Sequence, residues 1–345
     1  MKKILICDYP NALENDYSTT IQSATNAYYS YIANDNRTED INFEIYAYEN
    51  KEKLIEKLKD IGGLITGFLE IDESILSRAD SLKCISVSGV GYSNIDMDAA
   101  KRHGVCICHI REYCTQEVAE HAFALIAALN RNLKYYSEKI ENDHEWKYHT
   151  IAGSKNLSSQ TIAIFGFGKI GKRVAKIAGA YGMEVLAVDP YVAKNPQCVE
   201  EAAKYKISVV TAQEALDRAD IITNHMNLTE DNYHFFNEEA FSKMKKHPIF
   251  INVGRGGSVD EKALEHALDT KQIRAAGLDV LEDENPDLEN CSLTRRENVI
   301  ITPHSAFYSS ESIEKLQIIS GANMGYYLAG KYNNISEIVE NRCRN

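Results

Sequence analysis

Along almost the whole chain the period of apolar positions switches between two and about 3.6. Short runs rich in β-branched residues predict strands at 3–7, 63–66, 84–87, 105–110, 161–165, 184–188, 207–210, 221–223, 249–253 and 299–302. Between them, apolar residues three and four apart predict helices at 51–58, 118–140, 170–180 and 261–268. Thr211 and Glu214 have the spacing of a capping box, and Asp260 is placed to cap the helix that Glu261 opens. Strands and helices alternating in this way imply parallel sheets with helices on both faces. No repeat of about 20–50 residues is visible, so a solenoid is excluded.

The alternation comes in two sets, from residue 1 to about 109 and from about 161 to 303. Between them runs one long helical pattern, from Gln116 to about Glu141, with Val118, Ala122, Leu125, Ile126 and Leu129 on its apolar side. After Thr302 the pattern offers one more helix, at 310–328, which is expected to pack back on the first set. The expected division is therefore a discontinuous domain of 1–109 plus 308–345 and a second of 110–307 that includes the linker helix. Residues 11–45 carry Tyr17, Tyr28, Tyr29 and Tyr31 in a polar background and fit a long helix, a lid or an oligomer contact equally well.

Composition narrows the partners. The 345 residues suffice for two cores, and 44% apolar with 26% charged residues is a globular balance. Lys and Arg total 38 against 50 Asp and Glu, a net charge of −12 that repels nucleic acid and acidic membrane surfaces. The densest basic runs, Lys243-Met244-Lys245-Lys246 and Arg295-Arg296, are short. No apolar run approaches the ~20 residues of a membrane span. Asp8 and Pro10 cut the first apolar run too short for a secretory signal. Eight scattered cysteines without a Cys-x-x-Cys pair read as reduced thiols, and so as a cytoplasmic protein.

Two stretches carry chemistry. The strand at 161–165 runs into Gly166-Phe167-Gly168-Lys169-Ile170-Gly171 and then a helix. The first glycine allows the tight turn, the second lets a pyrophosphate approach the backbone, and the third lets helix pack on strand. The next strand ends at Asp189, a carboxylate placed to accept both ribose hydroxyls and to repel a 2′-phosphate, which predicts NAD. The other ligand class with a turn of this shape, S-adenosylmethionine, is the competing reading. Farther on, Arg255 follows the strand at 249–253, Glu284 follows a strand at 275–280, and His304 follows Thr302-Pro303. Ligands of open α/β sheets bind beyond the carboxyl ends of the strands, so an arginine, a carboxylate and a histidine there can serve reduction of a carbonyl beside a carboxylate. Singly, each has a plainer reading as a surface ion pair, a solvated acid or a loop histidine.

From about 84 to 310 the chain resembles the D-isomer-specific 2-hydroxyacid dehydrogenases. The resemblance rests on Gly89-Val90-Gly91-Tyr92-Ser93-Asn94-Ile95-Asp96, Val118-Ala119-Glu120-His121, and the glycine turn with Asp189. It continues through Asn252-Val253-Gly254-Arg255-Gly256, Ala276-Gly277-Leu278-Asp279-Val280 and Thr302-Pro303-His304-Ser305-Ala306-Phe307-Tyr308. It implies two Rossmann-like or flavodoxin-like doubly wound parallel-sheet α/β domains with a cleft between them, NAD as cofactor, a small 2-oxo or 2-hydroxy acid as substrate, and a homodimer joined through the nucleotide domains. Arg255 would hold the substrate carboxylate and polarise the C2 carbonyl, and His304 would give its proton to the nascent alkoxide. Glu284 would hydrogen-bond the other imidazole nitrogen. The N–H groups of Val90 and Gly91 would complete the anion site. The resemblance also places Lys169, Ile170, His225, Met226, Asn227, Asn232, Val253, Gly254 and Asp279 along the cofactor. Asn227 stands where the family usually has proline, and Asn285-Pro286 follows Glu284 where proline commonly follows directly.

Tyr113 and the pair Phe307-Tyr308 match aromatic residues of the D-lactate and D-2-hydroxyisocaproate branch. With no extra Lys or Arg in the matched turns, they predict small or medium uncharged 2-oxo acids. Two alternatives stand beside this. One is 3-phosphoglycerate dehydrogenase, against which stands the lack of a regulatory extension. The other is an NAD-sensing interaction protein like the C-terminal-binding-protein corepressors, against which stands the lack of an interaction tail beyond about 335. No metal is expected: His144 and His149 miss the i, i+4 spacing, and Cys106 with Cys108 reads as core.

Overall fold

Each strand pattern read above forms a strand, within two residues at either end. The computed structural model, which describes residues 2–10, 16–32, 39–149, 155–283 and 286–339, adds strands at Ile41–Ala47 and Glu337–Ile338. In chain order they are β1 (Lys2–Asp8), β2 (Ile41–Ala47), β3 (Gly63–Thr66), β4 (Cys84–Val87), β5 (Cys106–His109), β6 (Thr161–Phe165) and β7 (Glu184–Val188). Then follow β8 (Ile207–Val209), β9 (Ile221–Asn224), β10 (Ile249–Asn252), β11 (Ala275–Leu278), β12 (Val299–Ile301) and β13 (Glu337–Ile338). The chain divides into Met1–Tyr113 with Ser309–Asn345, and Cys114–Tyr308, against the expected 1–109 with 308–345.

The contiguous unit holds a seven-stranded parallel sheet in the order β12-β11-β10-β9-β6-β7-β8. Chain order reverses between β6 and β9, the switch point where doubly wound sheets open a crevice for ligands. Phe165, Phe236 and Phe250 are fully buried beneath it and pack edge to face. The other unit orders its strands β13-β5-β4-β3-β1-β2, parallel except for β13, with its switch point between β1 and β3. There Asp8 is buried and its carboxylate accepts the N–H of Gly67 at 2.6 Å and of Phe68 at 3.1 Å.

The tyrosine-rich segment that the sequence left open forms the helix Ser18–Ile32, which packs along Ser310–Leu328. The contact is close because Gly321 and Gly325 lack side chains; a methyl group at either would overlap the carbonyl of Thr20 or Ala24. The expected long linker helix is two helices, Thr115–Asn130 and Leu133–Asp143. The break falls at Asn132, whose φ of 53° lies in the left-handed region that asparagine tolerates. The capping box of Thr211 and Glu214 forms, and Asp260 caps its helix through the N–H of Lys262 and Ala263. Among the described residues no helix is long and apolar enough to cross a membrane.

Candidate functional site

The phosphate turn is built by what its glycines leave out. Gly166 has a φ of 86°, and a side chain there would strike the backbone of His225 and Met226 at 2.8 Å. At Gly171 a side chain would overlap the Gly166 carbonyl, so helix and strand could not close up. Over Gly168, by contrast, the space is open. The helix Lys169–Ala180 begins here with Lys169 and Ile170, its N-terminus and dipole facing that space. Asp189 directly follows β7 and is held from both sides. One carboxylate oxygen accepts Phe167 N at 2.9 Å, and the other caps the next helix through Tyr191 N and Val192 N. An open glycine turn at a helix start, with a fixed carboxylate beyond the next strand, fits a dinucleotide.

His225 closes β9 above the turn. Its Nε2 meets the Thr223 hydroxyl at 2.9 Å, while its Nδ1 is buried with no partner among the described residues. Burial pushes its pKa down to about 3, so the ring is neutral.

Arg255 stands just past β10 in extended backbone, φ −140°. A buried network of neutral groups holds its loop. Asn224 Nδ2 donates to Asn252 Oδ1 at 2.9 Å and to Ser258 Oγ at 2.7 Å. Asn252 Nδ2 and Ser258 Oγ both donate to the Arg255 carbonyl, at 3.0 and 2.6 Å. Gly254 N donates to Asn252 Oδ1, and Arg255 Nη1 to the Gly254 carbonyl. Gly256 is required because a side chain would overlap the Leu281 carbonyl. Neither Asn224 nor Ser258 was singled out from the sequence. Their roles depend on contacts 28 and 34 residues distant, which no local motif encodes.

His304 stands past β12 in a different kind of turn. Its φ is 50°, rare for a residue with a side chain. Asp279, 2% exposed, anchors the turn. Its Oδ1 accepts Thr302 Oγ1 at 2.6 Å and Ser305 N at 2.9 Å, its Oδ2 accepts Ala306 N at 3.0 Å, and its carbonyl accepts His304 N at 2.8 Å. Asp279 N in turn donates to the Asn252 carbonyl, linking this turn to the Arg255 loop. The Phe307 ring lies edge to face with the His304 imidazole, centroids 6.3 Å apart, and Tyr308 is 54% exposed.

The phosphate turn, Arg255 and His304 thus share the carboxyl edge of one sheet. Other residues expected along the cofactor have hydrogen-bond partners of their own. The Asp279 carboxylate is taken up by the His304 turn. Asn232 spends its amide on its own loop, accepting Thr229 N and donating to the Asn227 carbonyl at 2.7 Å. Met226 N donates to Asn224 Oδ1, and Val253 is buried. Glu284 and Asn285 lie outside the described residues. Val90, Gly91 and Tyr113 belong to the other unit. There the turn after β4 is tied down by Asn94, whose Nδ2 donates to the Gly67 and Leu69 carbonyls. Among the described residues, the N–H groups of Val90 and Gly91 have no hydrogen-bond partner.

The sulfurs of Cys84, Cys106 and Cys108 lie within 4.8 Å of one another in the core of that unit. Cys84 therefore joins the pair read from the sequence. Cys106 is disulfide-bonded, which corrects the reading of all cysteines as reduced thiols and leaves two thiols, too few for a tetrahedral site.

Residues 123–306 match the family model described as D-isomer specific 2-hydroxyacid dehydrogenase, NAD binding domain. The chain is 36% identical over 263 residues to a D-3-phosphoglycerate dehydrogenase of Methanocaldococcus jannaschii, covering 76% of this chain and 49% of that protein. It is 33% identical over 301 residues to a glyoxylate reductase of Pyrococcus furiosus, covering 84% and 87%. The chain spans about half the length of the phosphoglycerate dehydrogenases it matches. The structure of a D-lactate dehydrogenase from Aquifex aeolicus, complexed with NAD and lactic acid, is similar with a TM-score of 0.81 at 28% identity, covering 97% of this chain and 98% of that one.

Proposed function

The chain belongs to the D-isomer specific 2-hydroxyacid dehydrogenase family, and from that premise we propose that it transfers hydride between NADH and C2 of a 2-oxo acid, forming the (R)-2-hydroxy acid. The observation that carries the reading is the placement of the phosphate turn, Arg255 and His304 at the carboxyl edge of one parallel sheet.

The bound nicotinamide supplies the hydride. The first-turn amides after Gly168 receive the pyrophosphate, and the fixed Asp189 carboxylate receives the ribose hydroxyls. A 2′-phosphate beside that carboxylate meets like charge, which favours NAD over NADP. Arg255 binds the substrate carboxylate and stabilises the charge that develops on the C2 oxygen. His304 as imidazolium protonates that oxygen; in the reverse direction the neutral ring removes the proton. Glu284 is assigned to the second imidazole nitrogen on the strength of the family resemblance. Val90 and Gly91 are assigned to the substrate carboxylate on the strength of the family resemblance.

Small or medium uncharged substrates fit best. Phe307 and Tyr308 follow His304 directly, and neither 67–69, 89–94 nor 304–308 contains a Lys or Arg to receive a phosphate. A homodimer is part of the reading. The helix Leu133–Asp143 buries none of its residues, and Trp146 and Tyr148 beyond it are 87% and 88% exposed, apolar area of the kind a second copy would cover.

The test is a panel of 2-oxo acids with NADH and with NADPH, followed by coenzyme absorbance. Pyruvate, 2-oxobutyrate or a branched or aromatic analogue is expected to have the highest kcat/KM. Similarity to phosphoglycerate dehydrogenases favours a second reading, which replaces the first if 3-phosphohydroxypyruvate leads the panel. No turnover of any member with either coenzyme overturns both.

A further inference from the structure

The His304 turn has a partner outside the loops that make up the site. His121 lies on the helix Thr115–Asn130, early in the same unit. That helix lies close on the sheet because Gly277 of β11 has no side chain; a Cβ there would come within 3.1 to 3.2 Å of Leu129 and Leu125. The close approach brings His121 Nε2 to 2.9 Å from Thr302 Oγ1 and 3.5 Å from Asp279 Oδ1.

The polarity of this chain is fixed by counting protons. Thr302 has one hydroxyl proton, and it is donated to Asp279 Oδ1 across 2.6 Å. The hydroxyl oxygen must therefore accept from His121, so Nε2 carries a proton. His121 donates to Thr302, Thr302 donates to Asp279, and Asp279 holds Ser305 and Ala306, the two residues that directly follow His304. His121 Nε2 also lies 3.5 Å from the buried carboxylate of Asp279, and the His121 side chain is only 23% exposed.

We propose that His121 is a positioning residue for the proton-transfer step: through Thr302 and Asp279 it holds the left-handed turn that aims the His304 imidazole. The proposal rests on the reading of His304 as the proton-transfer group. A catalytic group displaced by a fraction of an ångström loses rate steeply while the cofactor site elsewhere on the sheet is untouched.

Three variants test it. His121→Leu removes the donor and keeps the volume, His121→Gln restores an N–H near the Nε2 position, and Thr302→Val cuts the relay at its middle. With NADH and the best 2-oxo acid, His121→Leu is expected to lower kcat about tenfold or more, with the NADH Kd changed by less than about twofold. His121→Gln should recover most of that loss. Thr302→Val should match His121→Leu, and the double variant should be no worse than either alone, because both break one chain. Amide hydrogen exchange at Ser305 and Ala306 should accelerate in His121→Leu and Thr302→Val and return toward wild type in His121→Gln.

Wild-type kcat and wild-type exchange in His121→Leu overturn the proposal. So does a His121→Gln variant as impaired as His121→Leu, or a double variant whose losses add. Should His121→Leu fail to fold, the Gln and Val variants carry the comparison. If the wild-type protein turns over no 2-oxo acid, the catalytic reading fails, while exchange at Ser305 and Ala306 still decides whether His121 holds the turn.

Discussion

Two loops at the edge of one sheet carry the charged groups of the site, and they are built in opposite ways. The Arg255 loop is extended, flanked by glycines, and held by the neutral side chains of Asn224, Asn252 and Ser258, each 1% exposed or less. The His304 turn has a left-handed residue at its tip and is held by one buried carboxylate. A non-glycine residue in that region costs about 1–2 kcal/mol. Hydrogen bonds to an ionised acceptor are roughly twice as strong as neutral ones, so Asp279 can hold strain that amides would release. A relaxed loop suffices for a guanidinium that reaches its ligand with a long side chain. A short imidazole must be aimed by the backbone.

Separating chemistry from strain gives the largest effect. His304→Asn keeps a residue that tolerates the left-handed region, so the fold should stay intact while kcat falls ~10²–10⁴-fold. NADH affinity should be nearly unchanged, as titrated by coenzyme fluorescence. Removing the anchor instead of the tip, Asp279→Ala orphans the Thr302 hydroxyl and the N–H groups of Ser305 and Ala306. It should cost about 3 kcal/mol in urea unfolding and lower kcat as well. A variant with normal stability would remove the charged side of the contrast.

The neutral side can be broken with acid. Burial lowers the pKa of His225 to about 3, so as pH falls below about 6.5 the unfolded chain binds a proton that the native ring refuses. Stability contributed by the neutral ring is therefore lost on going from about pH 6.5 toward 3. At pH 5 the loss is about 2 kcal/mol, and His225→Gln should flatten the fall in urea midpoints by that amount. Arg255→Lys keeps the charge and loses the planar fork. A drop in kcat/KM of about tenfold is expected, with KM carrying part of it. Ser258→Ala, which removes one of two donors to the Arg255 carbonyl, should cost only about 1 kcal/mol. A larger loss there would mean that the amide network is as strained as the charged turn.

The sequence was most legible where function demands a particular backbone. Gly166, Gly168 and Gly171 each answer one steric requirement, and the strands leading to Arg255 and His304 are short β-branched runs whose ends can be read directly. It was least legible where one residue acts through a distant one. Asp279 was read as a cofactor neighbour from its motif, and the service of its carboxylate to the turn 25 residues on was not read at all. The helix Ser18–Ile32 stayed one of three readings because its buried positions include Thr20, Ala24 and Ala27. Such small residues give no apolar stripe and become interpretable only beside the glycines of Ser310–Leu328. The break at Asn132 was missed for a similar reason, since the helical period resumes one residue later.

The glycine-mediated pairing of Ser18–Ile32 with Ser310–Leu328 sets an order of events during synthesis. The first helix leaves the ribosome some 280 residues ahead of the surface it packs on. Cys114–Tyr308 is contiguous and can close its sheet while the earlier strands still await their final helix. The apolar faces of β1, β3 and β4 stay open for that interval, exposed to chaperones and to neighbouring nascent chains. Enlarging Gly321 or Gly325 would lengthen that exposure, and the damage would appear as lost soluble yield before any change in turnover.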